Sequence, residues 1–288
     1  PNRGRDGLLD LQRAVLRFCA ARGDVLAMLS LPAGDQTEDA QQHLAKLTEL
    51  GASASDTGPL RIPALRVSEE QTLSYGAVYH PWLVVRSQEG IVADPPDGTA
   101  CGVAARRALQ RGAWIAPANV PLKQALALRP DLGPAGIDLL GSRVNVLSLG
   151  PRGVQFEAAS TLSPDPRLRP ISTRRLLALL LRLARREGPA LVFESNTLAL
   201  RRDAAAVFDR LLLSLFEQGA LAGQTAAEAY RVVTDGTVNL PETIERGQLI
   251  VEVRIAPAAP LEFILVRLVQ RGGQITASTE RPVSSANL

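Results

Sequence analysis

The sequence predicts a mixed α/β (α+β) fold, in which a compact core of mixed sheet is flanked by helices and followed by an extended C-terminal arm. Helical and strand-like segments alternate along the first 95 residues, which is the order typical of α/β proteins. A chain of 288 residues with 46% hydrophobic content can also bury a sizeable core. We therefore predict a core over residues 1–270, with 1–90 and 91–270 as its candidate subdomains, and an arm over residues 271–288.

The first third of the chain contains two helices and two strands in the predicted order. Residues 8–21 form an amphipathic helix, because apolar side chains recur there at helical spacing, and residues 37–50 predict a second helix. Between them, residues 25–32 form an apolar run that predicts a buried strand. The next apolar run, residues 73–85, predicts another strand. Pro81 interrupts it, and since proline cannot donate to a sheet ladder, we expect it at an edge or a bulge.

The segment 95–119 combines a rigid turn, a helix of small residues and an aromatic anchor. Two prolines restrict the backbone and withhold two donors, and a glycine allows the chain to turn sharply. The small side chains that follow allow the helix to pack close to another backbone. The residues of this structural motif are Pro95, Pro96, Gly98, Gly102, Trp114, Pro117 and Asn119.

The middle and later elements follow from turn residues and periodicity. Residues 120–141 are rich in proline and glycine, and predict a segment that runs along the surface. Residues 143–149 and 153–161 have the alternation and the glycine turn of a hairpin. Two long helices are predicted next, over 172–187 and 200–218. Three further strands complete the predicted core, over residues 229–234, 248–256 and 262–269.

The last residues of the chain have a different composition. Beyond Gln270 the apolar density falls below what a core strand requires. We therefore predict that residues 272–288 form a terminal arm. A disordered tail is the alternative interpretation.

The charge of the chain favours protein partners over nucleic acid. The formal net charge is +3, and Lys46 and Lys123 are the only lysines, so the basic groups are almost all arginine. Arginines concentrate on the two predicted helices 172–187 and 200–218, where a solvated face or a protein interface would explain them. Aromatic residues make up 4% of the chain, which leaves little for base stacking.

Membrane insertion and an oxidising compartment are not expected. The longest apolar run, near residues 176–183, is interrupted by Arg182 and is far shorter than the roughly 20 residues of a membrane span. No signal peptide is recognisable. Cys19 and Cys101 are too few for a disulfide framework, so a reducing cytoplasm is the expected setting.

The sequence contains no recognisable catalytic motif. Phosphate-binding loops, nucleophile elbows and paired metal ligands are all missing. We expect His43 on a solvated helix face and His80 in a packing role. We therefore predict no catalytic, cofactor-binding or metal-binding residues. The alternative is a cytoplasmic enzyme or ligand-binding protein, with a site near Asp94, Asp97 and Glu194.

Several ordered blocks of the sequence resemble the contractile tail sheath family of phage tails, pyocins and extracellular contractile injection systems. The blocks are YHPW at residues 79–82, the segment 95–119, FESN at 193–196 and IAPAAPLEF at 255–263. The last block supplies three further motif residues, Pro260, Glu262 and Phe263. The resemblance extends over nearly the whole chain.

Two features depart from the family pattern. Residues 156–162 read FEAASTL where the family usually has a block containing an arginine, so any contact of that arginine is in doubt. The upstream portion of full sheath proteins, including the N-terminal arm, has no counterpart in this sequence. The resemblance therefore concerns the C-terminal portion of a sheath subunit, or a shortened relative.

The resemblance implies a mechanical function without a cofactor. Copies of the chain would stack as six-fold rings around an inner tube, and would contract to drive the tube through a target envelope. The implied partners are the chain itself, the inner tube protein, the baseplate and terminator or cap proteins, with no nucleic acid and no membrane insertion. Assembly would take place in the cytoplasm, as part of a phage tail or of a tail-like particle that can be released.

The resemblance also implies a basic helix that faces an acidic inner tube. The expected contacts are Arg201, Arg202 and Arg210, followed by Arg174 and Arg175. A sheath-like cap or adaptor that does not polymerise is the alternative within the same family. The resemblance also implies that residues 272–288 act as an inter-subunit arm, in which Ile275, Thr276, Ala277 and Ser278 pair with a neighbouring chain. A missing or altered arm would distinguish a cap or adaptor from a true sheath subunit.

Overall fold

The computed structural model describes residues 3–51, 62–88, 90–141, 143–188, 196–258, 264–271 and 274–280. The chain divides into two compact units, residues 1–175 and 176–288. The predicted ranges 1–270 and 271–288 are functional assignments, and they stay predictions. Helices and strands alternate as expected, and the mixed α/β class is confirmed.

The first unit contains two sheets surrounded by helices. Its elements are α1 (Arg3–Arg22), β1 (Ala27–Ser30), α2 (Thr37–Thr48), a 3₁₀ helix (Val67–Tyr75), β2 (Gly76–His80), β3 (Trp82–Ser87), β4 (Gly90–Asp94), α3 (Pro96–Arg111), β5 (Ala125–Arg129), α4 (Gly133–Leu140), β6 (Asn145–Gly150) and β7 (Gly153–Phe156). The larger sheet has the order β1-β2-β6-β7, and the smaller has the order β4-β3-β5. Because β1, β2 and β6 are parallel and β7 is antiparallel to β6, the larger sheet is mixed.

The larger sheet is covered on both faces, as expected for parallel strands. Every residue of β2 is buried, and its side chains alternate between two apolar clusters. Val78 packs in the cluster that contains Leu16 of α1 and Leu47 of α2. Tyr79 packs on the other face, where its ring lies edge-on to Phe156 at a centroid distance of 5.1 Å.

The second unit is built around an antiparallel sheet. Helix α5 (Ile171–Glu187) begins in the first unit and continues into the second. The remaining elements are α6 (Leu198–Glu217), α7 (Ala226–Ala229), β8 (Tyr230–Val233), α8 (Pro241–Glu245), β9 (Gln248–Ile255), β10 (Ile264–Arg271) and β11 (Gln274–Glu280). The strand order is β11-β10-β9-β8, so β8 and β11 form the two edges. Thr197 caps α6 by accepting a hydrogen bond from the Leu200 amide.

Three predicted elements differ in the structure. The single strand expected over residues 73–85 is wrong: the 3₁₀ helix ends at Tyr75, and Pro81 separates β2 from β3, which belong to different sheets. The surface segment 120–141 contains β5 and α4. The segment proposed as an arm includes β11, which pairs with β10 of the same chain.

Candidate functional site

The arginines of α5 occupy very different environments. Arg174 is 5% exposed, and its guanidinium carbon lies 4.0 Å from the centre of the Tyr75 ring. Its Nη1 also donates to Ser74 Oγ at 3.5 Å. A side chain enclosed in this way cannot reach a partner protein. The expectation that Arg174 contacts an inner tube is therefore wrong.

The polar face predicted for α5 is only partly exposed. Arg182 and Arg186 are exposed, as expected. Arg175 is half-buried, and its Nη2 donates to the carbonyl oxygen of Ala104 at 2.9 Å. On the opposite side Leu176 and Leu180 are buried. The exposed positive charge of α5 therefore lies in its second half.

Helix α6 presents a surface of mixed charge. Arg202 and Arg210 are exposed, and Asp203 and Asp209 are exposed beside them. Arg201 is half-buried. Its Nε donates to Asn196 Oδ1 at 2.7 Å, and its Nη2 donates to the Asn196 carbonyl at 3.3 Å. Arg202 and Arg210 are thus the arginines of α6 that solvent or a partner can reach.

An open groove of about 680 Å³ runs between α6, α7 and the edge strand β8. Four of the nine residues that line it are alanines, and the hydroxyl of Tyr230 donates to the Asp209 carbonyl at 3.3 Å. Within the described residues, β8 pairs with β9 on one side and with no strand on the other. The lining residues are Ala205, Ala206, Asp209, Leu213, Ala226, Ala227, Tyr230, Arg231 and Val232. Sequence reasoning missed this groove, since alanines in a helix give no signal of a concave surface.

The proposed arm residues lie in an edge strand. Ile275, Thr276, Ala277 and Ser278 pair in antiparallel register with residues 270, 269, 268 and 267 of β10. Ile275 also packs against Gly188 at the end of α5, where an added Cβ would clash with its side chain. In the part of the chain that is described, the outer edge of β11 has no partner strand. The alternation of QITAST was the signal for this strand.

The structural motif at residues 95–119 forms the turn and helix that its sequence predicts. Pro95 precedes α3, and Pro96 occupies the first helical position, where a missing amide costs nothing. Gly98 and Gly102 face open space, since an added Cβ would meet no atom within 4 Å at either position. Asn119 adopts a positive φ of 56°.

The anchor residues of this motif, Trp114, Pro117 and Asn119, follow α3 in the chain. Trp114 is half-buried, and its ring packs against Gly112, whose φ is 105°. Pro117 is buried. The Asn119 amide donates to the carbonyl of Phe156 in β7 at 3.0 Å. The motif therefore joins α3 to the larger sheet.

Part of the remaining motif residues cannot be compared with the structure. Pro260, Glu262 and Phe263 lie outside the described residues, and so do residues 193–195 of the FESN block, including Glu194. Asn196 is described. Its Nδ2 donates to the Gln248 carbonyl at 2.7 Å, which links the start of α6 to β9.

The two histidines are both buried. His43 was expected on a solvated face, and that expectation is wrong: it is 6% exposed and its Nε2 donates to Gln12 Oε1 at 2.8 Å. Burial, with nearby positive charges, lowers the pKa of His43 to about 4. His80 packs in the sheet as expected, and its Nε2 donates to the Asp35 carbonyl at 2.9 Å.

The described residues contain no metal-binding cluster that would support the alternative interpretation of the chain as an enzyme or ligand-binding protein. Among the described residues, no three histidine, cysteine or acidic side chains lie together so that they could hold a metal ion. Asp94 lies in β4, whose residues are all exposed. No helix in the described ranges has the length and apolar content needed to cross a bilayer.

Comparison with solved structures identifies proteins of the same architecture. The chain matches a chain of the PVC sheath complex, an extracellular contractile injection system in its contracted state, with a TM-score of 0.69 and 26% identity over 88% of this chain and 66% of that one. It matches the contracted helical sheath of the anti-feeding prophage with a TM-score of 0.61 and 26% identity, over 88% and 72% of the two chains.

A third match is the sheath tail protein from Desulfitobacterium hafniense, with a TM-score of 0.51 and 15% identity over 90% of this chain and 60% of that one. No family model and no curated protein sequence matches the chain. The chain spans 66% of the PVC chain that it matches, which is slightly less than two thirds. Its structure neighbours are sheath proteins of contractile injection systems and tails, and the chain has their fold.

Proposed function

We propose that the chain is the core portion of a contractile sheath subunit, which polymerises as stacked six-fold rings around an inner tube and contracts to drive that tube through a target envelope. The similarity to the contracted PVC sheath carries this proposal, because it extends over most of the chain. The role is structural, and it requires no catalytic residue and no cofactor.

The proposed partners are those that a sheath requires. They are further copies of the chain, an inner tube protein, a baseplate and terminator or cap proteins. We infer assembly in the cytoplasm, as a component of a phage tail or of a tail-like particle that can be released from the cell. Nucleic acid and membrane lipids are not among the proposed partners.

The arm supplies the proposed link between copies. Among the described residues, strand β11 is joined to the rest of the sheet through β10 alone, and its pairing residues 275–278 have small or polar side chains, apart from Ile275. Such a strand can leave its own sheet and add to the sheet of a neighbouring copy at little cost, because the backbone hydrogen bonds are replaced one for one. We propose that residues 271–288 act in this way.

The inner tube contact is assigned to α6. Arg202 and Arg210 support this assignment, because both guanidinium groups are exposed. Arg201 and Arg175 are half-buried, so they rank below the exposed pair, and Arg174 is buried and is not assigned to the contact. Exposed ion pairs contribute about 0–1 kcal/mol each, which suits a contact that must release during contraction.

Electron microscopy of the purified chain, alone and with its candidate inner tube protein, tests the function. We expect hollow tubes with six-fold cross-sections, whose diameter depends on the presence of the inner tube. Dispersed globular particles under both conditions would exclude a polymerising sheath and favour a cap or adaptor.

A charge-reversed variant tests the tube contact separately. The double change Arg202→Glu and Arg210→Glu is expected to leave the fold intact, because both side chains are exposed, and to abolish assembly on inner tubes. Arg186→Glu on α5 is the matched control, and we expect it to assemble normally. Recovery of sheath on tubes with the double variant would rule out the assignment of the inner tube contact to α6.

A further inference from the structure

Helices pack on one face of the sheet in the second unit. Tyr230 of β8 donates to the Asp209 carbonyl of α6, and Ile275 of β11 packs against Gly188 at the end of α5. The register of the four strands places Tyr230 and Ile275 on the same face. Because successive side chains of a strand point to opposite faces, Arg231 and its cross-strand neighbours lie on the other face.

Three arginines and one glutamate lie close together on that other face. Arg231 of β8 is directly opposite Arg254 of β9, and Arg267 of β10 is directly opposite Glu252 of β9. Neighbouring strands are about 4.8 Å apart, and alternate residues of one strand are about 6.7 Å apart, so the four residues share a small area of the sheet. We call Arg231, Glu252, Arg254 and Arg267 the arginine cluster.

Glu252 is the carboxylate at the centre of the arginine cluster. Its side chain is 8% exposed, and its two oxygens lie 3.8 Å from Arg254 Nη2 and 3.7 Å from Arg267 Nη2. One negative charge is therefore shared by two guanidinium groups, at distances longer than a direct hydrogen bond. The side chains of Arg254 and Arg267 are 54% and 36% exposed, so a partner can reach both.

Arg231 brings a like charge next to Arg254. It is exposed at the edge of the sheet, where it also borders the groove beside α6, and like charges directly opposite each other destabilise an antiparallel pair of strands. Hydrogen bonds from Thr237 lower the pKa of Asp235, and the charge of Arg231 contributes less to that shift. Asp235 is exposed, so its attraction for Arg231 is weak. The arrangement of Arg231 and Arg254 therefore favours binding of a further negative charge.

Positive charge is in excess on this face even when both of its acidic residues are counted. The register places Glu280 of β11 opposite Leu265, beside Arg267, and it places Arg271 farther along β10 on the same face. The four strands thus present four arginines and two glutamates there. The complementary partner carries an excess of carboxylates or phosphates.

The surroundings of the cluster favour a protein over nucleic acid. Val233 and Leu265, which are half-buried, lie opposite Glu252 and Arg254, so apolar side chains of a partner can pack between the charged groups. Among the described residues of β8–β11, this face carries no aromatic side chain on which a base could stack. The carboxylate of Glu252 would also repel a phosphate placed at the centre.

We propose that the arginine cluster is a docking site for an acidic segment of a different protein, whose carboxylates are bound by Arg231, Arg254 and Arg267. Charge-assisted hydrogen bonds between guanidinium and carboxylate groups supply the attraction, and a bound carboxylate relieves the repulsion between Arg231 and Arg254. The formal net charge of the chain is +3, so a second copy is repelled as a whole and fits less well.

The docking site is separate from the proposed inner tube contact. Helix α6, which carries Arg202 and Arg210, packs on the face of the sheet that contains Tyr230. The arginine cluster lies on the opposite face, so the inference does not depend on the sheath role. Its tests use binding and thermal stability rather than assembly.

Binding of a labelled peptide tests the site. The probe is fluorescein-labelled hexaglutamate, titrated with the full chain at low ionic strength and followed by fluorescence anisotropy. Arg254→Gln is expected to raise the dissociation constant about tenfold, because a charge-assisted hydrogen-bonding group is lost. Arg246→Gln is the matched control, since Arg246 is exposed in the same unit but follows α8 and lies outside the sheet strands. We expect its affinity to be unchanged. Equal weakening by both variants would overturn the site, because net charge alone would then explain binding.

The central carboxylate provides a change of opposite sign. Glu252→Gln preserves the size of the side chain and removes its charge, so hexaglutamate should bind more tightly to Arg254 and Arg267. Glu242→Gln on α8 raises the net charge by the same amount at an exposed position elsewhere in the unit, and should leave the affinity unchanged. Equal tightening in the two variants would count against a defined site.

Arg231→Thr separates binding from folding. The change removes the like charge opposite Arg254, and threonine is favoured in strands, so the melting temperature should be no lower than that of the unchanged chain. The dissociation constant for hexaglutamate should nevertheless rise. Unchanged peptide binding would overturn the role of Arg231 in docking, whatever the melting temperature.

Two further measurements identify the class of partner. A labelled oligonucleotide of six thymidines is the competing probe, and we expect it to bind more weakly than hexaglutamate. Tighter binding of the oligonucleotide that Arg254→Gln abolishes would overturn the proposal in favour of nucleic acid. Sedimentation velocity of the chain alone should show no association that depends on Arg254. Association that Arg254→Gln abolishes would identify a second copy as the occupant, and would overturn the assignment to a different protein.

Discussion

At the scale of single residues, several polar side chains of the first unit are buried and are held in place by hydrogen bonds. Gln12 donates through Nε2 to the Ser30 carbonyl at 2.8 Å and accepts from His43 Nε2 at the same distance. His80 donates to the Asp35 carbonyl. Since each of these acceptors has no hydrogen to give, both histidines carry a proton on Nε2, and the neutral form satisfies the hydrogen bond.

Both histidines resist a second proton. The pKa of His43 is lowered to about 4 by burial and by the positive charges of Arg5, Lys46 and Arg13. The pKa of His80 is lowered to about 4 by burial, which outweighs its hydrogen bond to the Asp35 carbonyl. In an unfolded chain each imidazole would titrate near its ordinary value of about 6.5.

We therefore predict that the chain loses stability as the pH falls from about 6.5 to 4. In that range the unfolded chain binds more protons than the folded chain, so the free energy of unfolding decreases. The full loss is about 3 kcal/mol per histidine, and most of it is reached by pH 4.5. Urea unfolding at pH 7.5 and pH 4.5 measures it.

The variant His43→Gln isolates one of the two contributions, because glutamine can donate to Gln12 but does not titrate. Its difference in stability between the two pH values should be smaller than that of the unchanged chain by roughly 3 kcal/mol. An identical difference in both proteins would show that His43 does not carry the effect, since carboxylates titrate equally in the two.

His43 also shows where sequence reasoning at this scale stops. The helix TEDAQQHLAKLT reads as polar, so its histidine was expected in solvent. Its hydrogen-bond partner is a glutamine 31 positions earlier on α1, and no local sequence pattern indicates that contact. Arg174 was expected to be accessible to a partner for the same reason, since its aromatic partner Tyr75 lies in a distant segment of the sequence.

At the scale of elements, the approach of α1 to the larger sheet depends on a glycine. An added Cβ at Gly76, the first residue of β2, would clash with the Leu16 side chain of α1. Leu16 is completely buried, so it has no free space to move into. The close contact between this helix and this strand therefore requires a residue without a side chain.

We predict that Gly76→Ala destabilises the chain by about 1–3 kcal/mol, the usual cost of inserting a methyl group into a packed core. Thermal unfolding monitored by circular dichroism measures the loss. Gly7→Ala on the exposed side of α1 is the control, because its added Cβ meets no atom within 4 Å. It should be neutral or stabilising by up to about 1 kcal/mol. Equal melting temperatures for the two variants would contradict the packing argument.

The elements that sequence reasoning found are those with strong periodicity, such as α1, α5, β9 and β10. Those it missed include β4 and β5, which form the two edges of the smaller sheet. Strand β4 is exposed along its whole length, so it lacks the apolar density by which a buried strand is recognised. Pro81 was correctly taken as a disruption, but a missing amide can also end one strand and let the next join another sheet.

At the scale of the whole molecule, β11 belongs to its own sheet in the isolated chain and is proposed to pair with the sheet of a neighbouring copy in the assembly.

The fold class followed from the alternation of helices and strands. The sheath relationship followed from ordered blocks such as YHPW and the segment 95–119. The division at residue 175 and the groove beside β8 depend on long-range packing, so neither was predicted.

We predict that a chain ending at Arg271 still folds but does not assemble. Strands β8, β9 and β10 retain a three-stranded antiparallel sheet with an apolar face, which is sufficient for stability. Circular dichroism should therefore show a cooperative unfolding transition, while electron microscopy shows no tubes. Tubes formed as readily as by the full chain would rule out the arm as the link between copies.

The exposed arginines of α5 and α6 have a further consequence for the geometry of the contacts that they make. They are Arg182, Arg186, Arg202 and Arg210, and neither helix contains a lysine. A guanidinium group presents its donors in a rigid planar fork that matches a carboxylate at two points, whereas an ammonium group is a compact point charge. Lysine at these four positions would therefore keep the charge of the surface and lose its directional preference.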